Sequence, residues 1–194
     1  MDAISHLSWS YHINQDDIGL QDDLTLSAIK ALVDNGRIVM KNPRDYEARA
    51  AIMLASTFAC VDILHLGSGC DPTSHRLEHE LSAIYDVTHG VGLGIILPAQ
   101  LRYLYKGAPA RFAKFGRVVF GIEETDDEKA ALMSIDALEQ FFREIGMPTH
   151  LSEIGIGDEH FEEMADKVLR DVGPFGDIHV FDKESIVELY RLCL

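Results

Sequence analysis

Histidine and carboxylate are the side chains best suited to hold a metal or move a proton near neutral pH. In this chain they gather at two places. The stretch "SHRLEHELSAIYDVTHGVG", residues 74–92, carries His75, His79 and His89, a third of the nine histidines in 194 residues. The stretch "MDAISH" carries Asp2 and His6. His75 and His79 stand four apart, as do Asp2 and His6, so on helices each pair shares a face. A solvent-facing pair has the same spacing, and HxxxH alone does not decide between the readings. His89 lies fourteen positions after His75; on one unbroken helix it would sit about 21 Å away. But "YDVTHG" interrupts the pattern, with Thr88 as the N-cap of a new helix, and a turn there can bring His89 back beside His75. Gly90, Gly92 and Gly94 open that second helix. Glycine is a poor residue for a helix interior, so these three point to a close approach against the backbone. A divalent cation takes three or four imidazole and carboxylate ligands. Asp2, His6, His75 and His89 would supply a set suited to Fe²⁺, Zn²⁺, Ni²⁺ or Co²⁺ if the two pieces meet, and spacing alone does not require that they do.

The elements that must position these groups read as helices almost throughout. "DLTLSAIKALVDNGRIVM" places Leu24, Ala28, Ala31 and Leu32 on one stripe. Residues 43–67 start with a proline and acids and run to Gly67, which predicts one long helix with His65 in its last turn, favoured there by the helix dipole. A break rich in turn formers, "GSGCDPTS", follows. "HRLEHELSAIYD" is apolar at Leu77, Leu81 and Ile84, and "THGVGLGIILPAQLRYLYKG" is a second apolar helix with a kink expected at Pro98. "PARFAKFGRVVFG" closes at Gly121, and "DDEKAALMSIDALEQFFREIG" opens on acids and closes before Gly146. "MPTHLSEIGIG" is a connector, and "DEHFEEMADKVLRDVG" and "DKESIVELYRLCL" complete the pattern. No run alternates with period two for long enough to make a strand, "GDIHVF" included. The expectation is an all-α fold, one domain over residues 1–194, with eight or nine helices and no internal repeat.

Composition bounds the function. Apolar residues make up 47% of the chain, enough for a core. With 17 basic against 32 acidic residues, the net charge of −15 repels a phosphate backbone, which argues against a nucleic-acid partner. Cys60, Cys70 and Cys193 are odd in number and lack metal-type spacing, so a reducing cytoplasm is expected. The longest uncharged run, residues 50–61, is too short to cross a membrane.

The span from "SHRLEHELSAIYDVTHGVG" to "GRVVFGI", together with "MDAISH", "RDYEARAAIM" and "EIGMPTHLSEIGI", resembles the iron-containing (group III) alcohol dehydrogenases over the whole chain, the butanol dehydrogenase-like branch above all. The resemblance implies the multi-helix C-terminal domain of the dehydroquinate synthase-like type, without the N-terminal α/β nucleotide-binding domain. It implies one divalent metal, Fe²⁺ before Zn²⁺ or another, held by Asp2, His6, His75 and His89. It implies that His79 lies near the nicotinamide and helps to move protons. NAD(P) is implied only with the nucleotide-binding half supplied, because no Gly-rich turn here follows a strand. The expected activity is hydride transfer between NAD(P)H and a small alcohol or aldehyde, with the metal as Lewis acid, and this chain alone is expected to be inactive. A homo-oligomer, or association with a nucleotide-binding half, is expected to cover the apolar surface that a lone half exposes. The sequence departs from the family at Trp9, where glutamate is frequent, and at Pro72 and Gln100, where aromatic residues are usual.

Two other classes stay open: a non-catalytic metal-binding or interaction fragment, and a helical metal hydrolase using metal-bound hydroxide. Among the remaining groups, His12 reads as polar surface before it reads as a donor behind the site. His150, His160 and His179 read as solvent-facing, and Glu78 and Glu80 as a solvated face. Phe112, Phe115 and Phe120 read as core, and "EETDDE" as a helix N-terminus.

Overall fold

The computed structural model describes residues 1–13, 18–67, 69 and 71–194, with only the backbone at position 62. Ser68 and Cys70, in the expected break, lie outside the described residues. Among the described residues there are nine α-helices: α1 (Asp2–Tyr11), α2 (Leu20–Lys41), α3 (Tyr46–Cys60), α4 (Thr73–Tyr85), α5 (His89–Leu104), α6 (Pro109–Phe120), α7 (Asp127–Glu144), α8 (Phe161–Val172) and α9 (Lys183–Leu192). The only β pairing among them is an isolated bridge between Phe175 and Phe181, at "GDIHVF". The all-α expectation holds.

Local chemistry sets most boundaries. Asp126 accepts from the Lys129 N–H to open α7, and Asp182 and Ser185 form a reciprocal capping box at α9. The acidic run from Glu123 to Glu128 is thus a helix start. Pro109 begins α6, and Gly121, at φ 70°, ends it in the left-handed conformation that costs glycine least. α5 continues through Pro98. It is the apolar axis of the molecule: its buried residues run from Gly92 to Leu101, plus Leu104, as expected of a helix that is apolar all round. α1, α4, α7 and α9 pack on it.

Two boundaries differ from expectation. The helix predicted over 43–67 ends at Cys60, because Val61 takes an extended backbone (ψ 131°). A 3₁₀ turn, Asp62–Leu64, then drops Leu64 into the core. His65 therefore lies beyond the helix rather than in its last turn. On α2 the buried stripe is Leu26, Ile29, Leu32 and Val33 with Ala28, while Leu24 stands 47% exposed. Leu24 instead lines an open apolar groove of about 500 Å³ between α2 and α3, with Ala51, Leu54, Phe58 and Ile63. α3 itself buries only Ala48, Ala55 and Ala59.

Candidate metal centre

Three helix N-termini converge. The first turns of α1 carry Asp2 and His6, the first turn of α4 carries His75, and His89 is the first residue of α5. The turn between α4 and α5 makes this possible. Asp86 ends α4 at φ 54°, the one positive φ of a non-glycine residue among the described residues, and a short polar side chain tolerates that region. Thr88 is the N-cap of α5, though its side chain makes no cap hydrogen bond. Asp71 holds the start of α4 by accepting from the Thr73 N–H at 2.9 Å and from the Thr73 hydroxyl.

The pieces from the chain's two stretches meet at the Asp2 carboxylate. Its Oδ1 lies 3.5 Å from His6 Nε2, 3.2 Å from His75 Nε2 and 3.4 Å from His89 Nε2. Ligands about 2.1 Å from a tetrahedral cation stand about 3.4 Å apart, so the spacing fits a divalent ion. Asp2, His6 and His75 form one triad, with ligand atoms within 4.8 Å of one another. His89 belongs to a second triad with Glu78 and His79. In that group the carboxylate is already engaged: Glu78 Oε2 pairs with His89 Nδ1, and Oε1 accepts from Ser82 Oγ at 2.5 Å. The donor set open to a cation is therefore the one around Asp2. His79 is exposed on α4, one turn past His75, and its ring centroid lies 5.6 Å from that of His89.

Burial tunes the cluster. His75 is 7% exposed, and burial lowers its pKa to about 4; the Asp2 hydrogen bond opposes this, while neighbouring His6 and His89 add to it. The ring is neutral at pH 7, as ligation requires. Glu78 is fully buried, against the reading of a solvated face. It sits in space that Gly92 leaves open: a Cβ on Gly92 would stand 2.6 Å from Glu78 Cγ and Oε1. The close approach that the glycines promised is this carboxylate, aimed at His89. His75 Nδ1 has two neighbours that its spacing did not reveal, Trp9 Nε1 at 3.2 Å and Ser5 Oγ at 3.4 Å.

Against the expectation of polar surface, His12 is 2% exposed and packs against Phe112 and Phe115 at 4.7 and 5.0 Å between ring centroids, so it is core. Phe112 and Phe115 are core as expected. His150 and His160 pair with Glu153 and Glu163, and His179 lies against Tyr103 and Phe181. Gln100, at a position of departure from the family, is buried.

Comparison with known proteins finds relatives along the whole chain. The sequence profile described as Fe-containing alcohol dehydrogenase family, C-terminal, matches residues 1–194. The chain is 34% identical over 193 residues to NADH-dependent butanol dehydrogenase A of Clostridium acetobutylicum, covering 98% of this chain and 50% of that one. It is 31% identical over 156 residues to the NADPH-dependent aldehyde reductase YqhD of Escherichia coli, covering 80% of this chain and 40% of that one. Among solved structures, NADH-dependent butanol dehydrogenase A of Thermotoga maritima superposes with a TM-score of 0.91 at 30% identity, over 98% of this chain and 50% of that one. The chain thus spans about half the length of the curated relatives it matches. With a match along its whole length and a TM-score of 0.91 to a solved relative, the chain belongs to the Fe-containing alcohol dehydrogenase family, as its C-terminal helical part.

Proposed function

We propose that this chain is the metal-holding part of an alcohol dehydrogenase or aldehyde reductase of the butanol dehydrogenase type. The observation that carries this reading is Asp2 Oδ1 standing 3.2–3.5 Å from three imidazole Nε2 atoms. Asp2, His6, His75 and His89 would hold one divalent cation, Fe²⁺ before Zn²⁺. Bound there, the cation supplies Lewis acidity toward an alcohol or aldehyde oxygen. Asp2 offsets its charge, and Glu78 orients His89 by keeping the proton on Nδ1. His79, exposed beside His89, takes the hydroxyl proton of an alcohol and releases it to solvent. Support for an alcohol or aldehyde as substrate comes from relatives named as butanol dehydrogenase and aldehyde reductase.

Hydride transfer needs a nicotinamide held against the site, and this reading assigns NAD(P) to a nucleotide-binding segment in addition to these helices. A second polypeptide or a second copy would also cover the apolar groove between α2 and α3. Residence in the cytoplasm belongs to the same reading; among the described residues no helix is long and apolar enough to cross a membrane.

The test is metal content after loading with Fe²⁺ or Zn²⁺ near neutral pH. Wild type is expected to retain one ion per chain, and His75→Ala and His89→Ala to lose it. His79→Ala is expected to retain it. Loss in His79→Ala with retention in His89→Ala would reverse the roles assigned here. Oxidation of NADH with butyraldehyde by the 194-residue chain alone would remove the need for a second segment.

A further inference from the structure

Trp9 holds His75 in the form opposite to the one a metal ligand needs. An indole N–H donates and has no lone pair with which to accept, and Trp9 Nε1 lies 3.2 Å from His75 Nδ1. Nδ1 is therefore the acceptor, and the single proton of the neutral ring stands on Nε2. There it points at Asp2 Oδ1, 3.2 Å away. His75 thus donates through the nitrogen that would have to present its lone pair to a cation. His89 is set the other way, with Nδ1 donating to the Glu78 carboxylate and Nε2, 3.4 Å from Asp2 Oδ1, carrying the lone pair. A second group reaches His75 Nδ1. Ser5 Oγ lies 3.4 Å from it and 2.9 Å from Ser74 Oγ. Unlike the indole, a hydroxyl accepts as readily as it donates.

We propose that Trp9 and Ser5 form a two-position tautomer switch on His75: Trp9 holds the metal-free ring as Nε2–H, and recruiting the ring to a divalent cation transfers Nδ1 from the indole to the Ser5 hydroxyl. This rests on the metal-centre reading above and adds to it a device that sets the site's affinity. Trp9 is a positioning residue, acting through His75. Once the ring proton moves to Nδ1, two donors face each other and the indole turns away. Trp9 is the chain's one tryptophan. It lies against two of the proposed ligands, 4.0 Å from His6 and 4.6 Å from His75 between ring centroids. Its emission therefore reports the exchange.

The experiment combines ¹⁵N imidazole spectra of the metal-free chain with calorimetric Zn²⁺ titration of wild type, Trp9→Phe and Ser5→Ala near neutral pH. The metal-free wild type is expected to show His75 as Nε2–H, and its tryptophan emission to shift as the first equivalent of Zn²⁺ binds. Groups that orient a ligating histidine typically change affinity 10- to 100-fold. Trp9→Phe, which keeps an aromatic ring and loses the donor, is expected to bind about 10-fold tighter. Ser5→Ala is expected to bind about 10-fold more weakly. An Nδ1–H tautomer in the metal-free wild type, or equal affinity in wild type and Trp9→Phe, overturns the switch and leaves the metal-centre reading standing. Absence of Zn²⁺ binding in all three overturns the metal-centre reading and the switch with it.

Discussion

Replacing His12 by phenylalanine should make the fold markedly less sensitive to acid. His12 is buried among Tyr11, Phe112 and Phe115, and neither ring nitrogen makes a hydrogen bond of ordinary geometry. Burial lowers its pKa to about 3; the Arg111 charge pushes the same way, and the Ser8 backbone opposes them only in part. The unfolded chain takes up this proton near the ordinary histidine pKa of about 6.5. Between those two values the unfolded state binds more protons than the folded state, so stability falls as pH falls. Integrated for one site, the loss is about 2 kcal/mol between pH 7 and pH 5, and about 3 kcal/mol by pH 4. Phenylalanine carries no such proton. Its larger ring adds a packing term of either sign, but that term does not vary with pH. The assay is urea denaturation followed by circular dichroism at several pH values, for both proteins. The stability difference should widen in favour of His12→Phe by about 2 kcal/mol from pH 7 to pH 5. Parallel pH profiles would refute the reasoning.

Three further outcomes are expected. Asp22→Ala should destabilise the fold by about 3–5 kcal/mol in urea melts, because Asp22 is 2% exposed and pairs with both terminal nitrogens of the buried Arg111 at 2.7 and 2.9 Å. Gly92→Ala should weaken Zn²⁺ binding about 10-fold by calorimetry with helix content unchanged, since a Cβ there displaces Glu78 from His89. In the folded chain iodoacetamide should modify the exposed Cys60 and spare Cys193, as peptide mapping would show; burial pushes the Cys193 thiol far above its usual range, and its Sγ donates to Leu189 O at 3.3 Å.

Wherever one local rule decides an outcome, the sequence was legible. Pro109 and Gly121 delimit α6, Asp126 starts α7, and the spacing of Asp2 with His6 gives two groups on one face. The approach of α1 to α4 was not legible, because nothing in either segment specifies a neighbour 73 positions away. The family resemblance supplied that pairing. His12 misled because α1 is a central helix: Ser5, Ser8 and Ser10 are buried with it, and small polar residues imitate a solvated face. Glu78 misled for the converse reason. Its burial is permitted by an absent side chain at Gly92, on another helix, so the signal was the glycine and not the acid. The helix expected over residues 43–67 ends earlier because the sequence shows an apolar run and not the turn that brings Leu64 inward.

α3 has a consequence for the time scales on which the molecule opens. A helix that buries three alanines gives up little apolar surface on detaching, so its amides should exchange with solvent early, well below the global free energy of unfolding. The two ends of the excursion that contains it are clasped independently, by Ser5 on Ser74 and by the Asp71 N–H on Trp9 O. Departure of α3 leaves those clasps and the Asp2–His75 contact in place. Deuterium should therefore enter the hydrogen-bonded amides of residues 46–60 long before those of the buried α5, so the α3 arm breathes while the carboxylate and its imidazoles keep their positions.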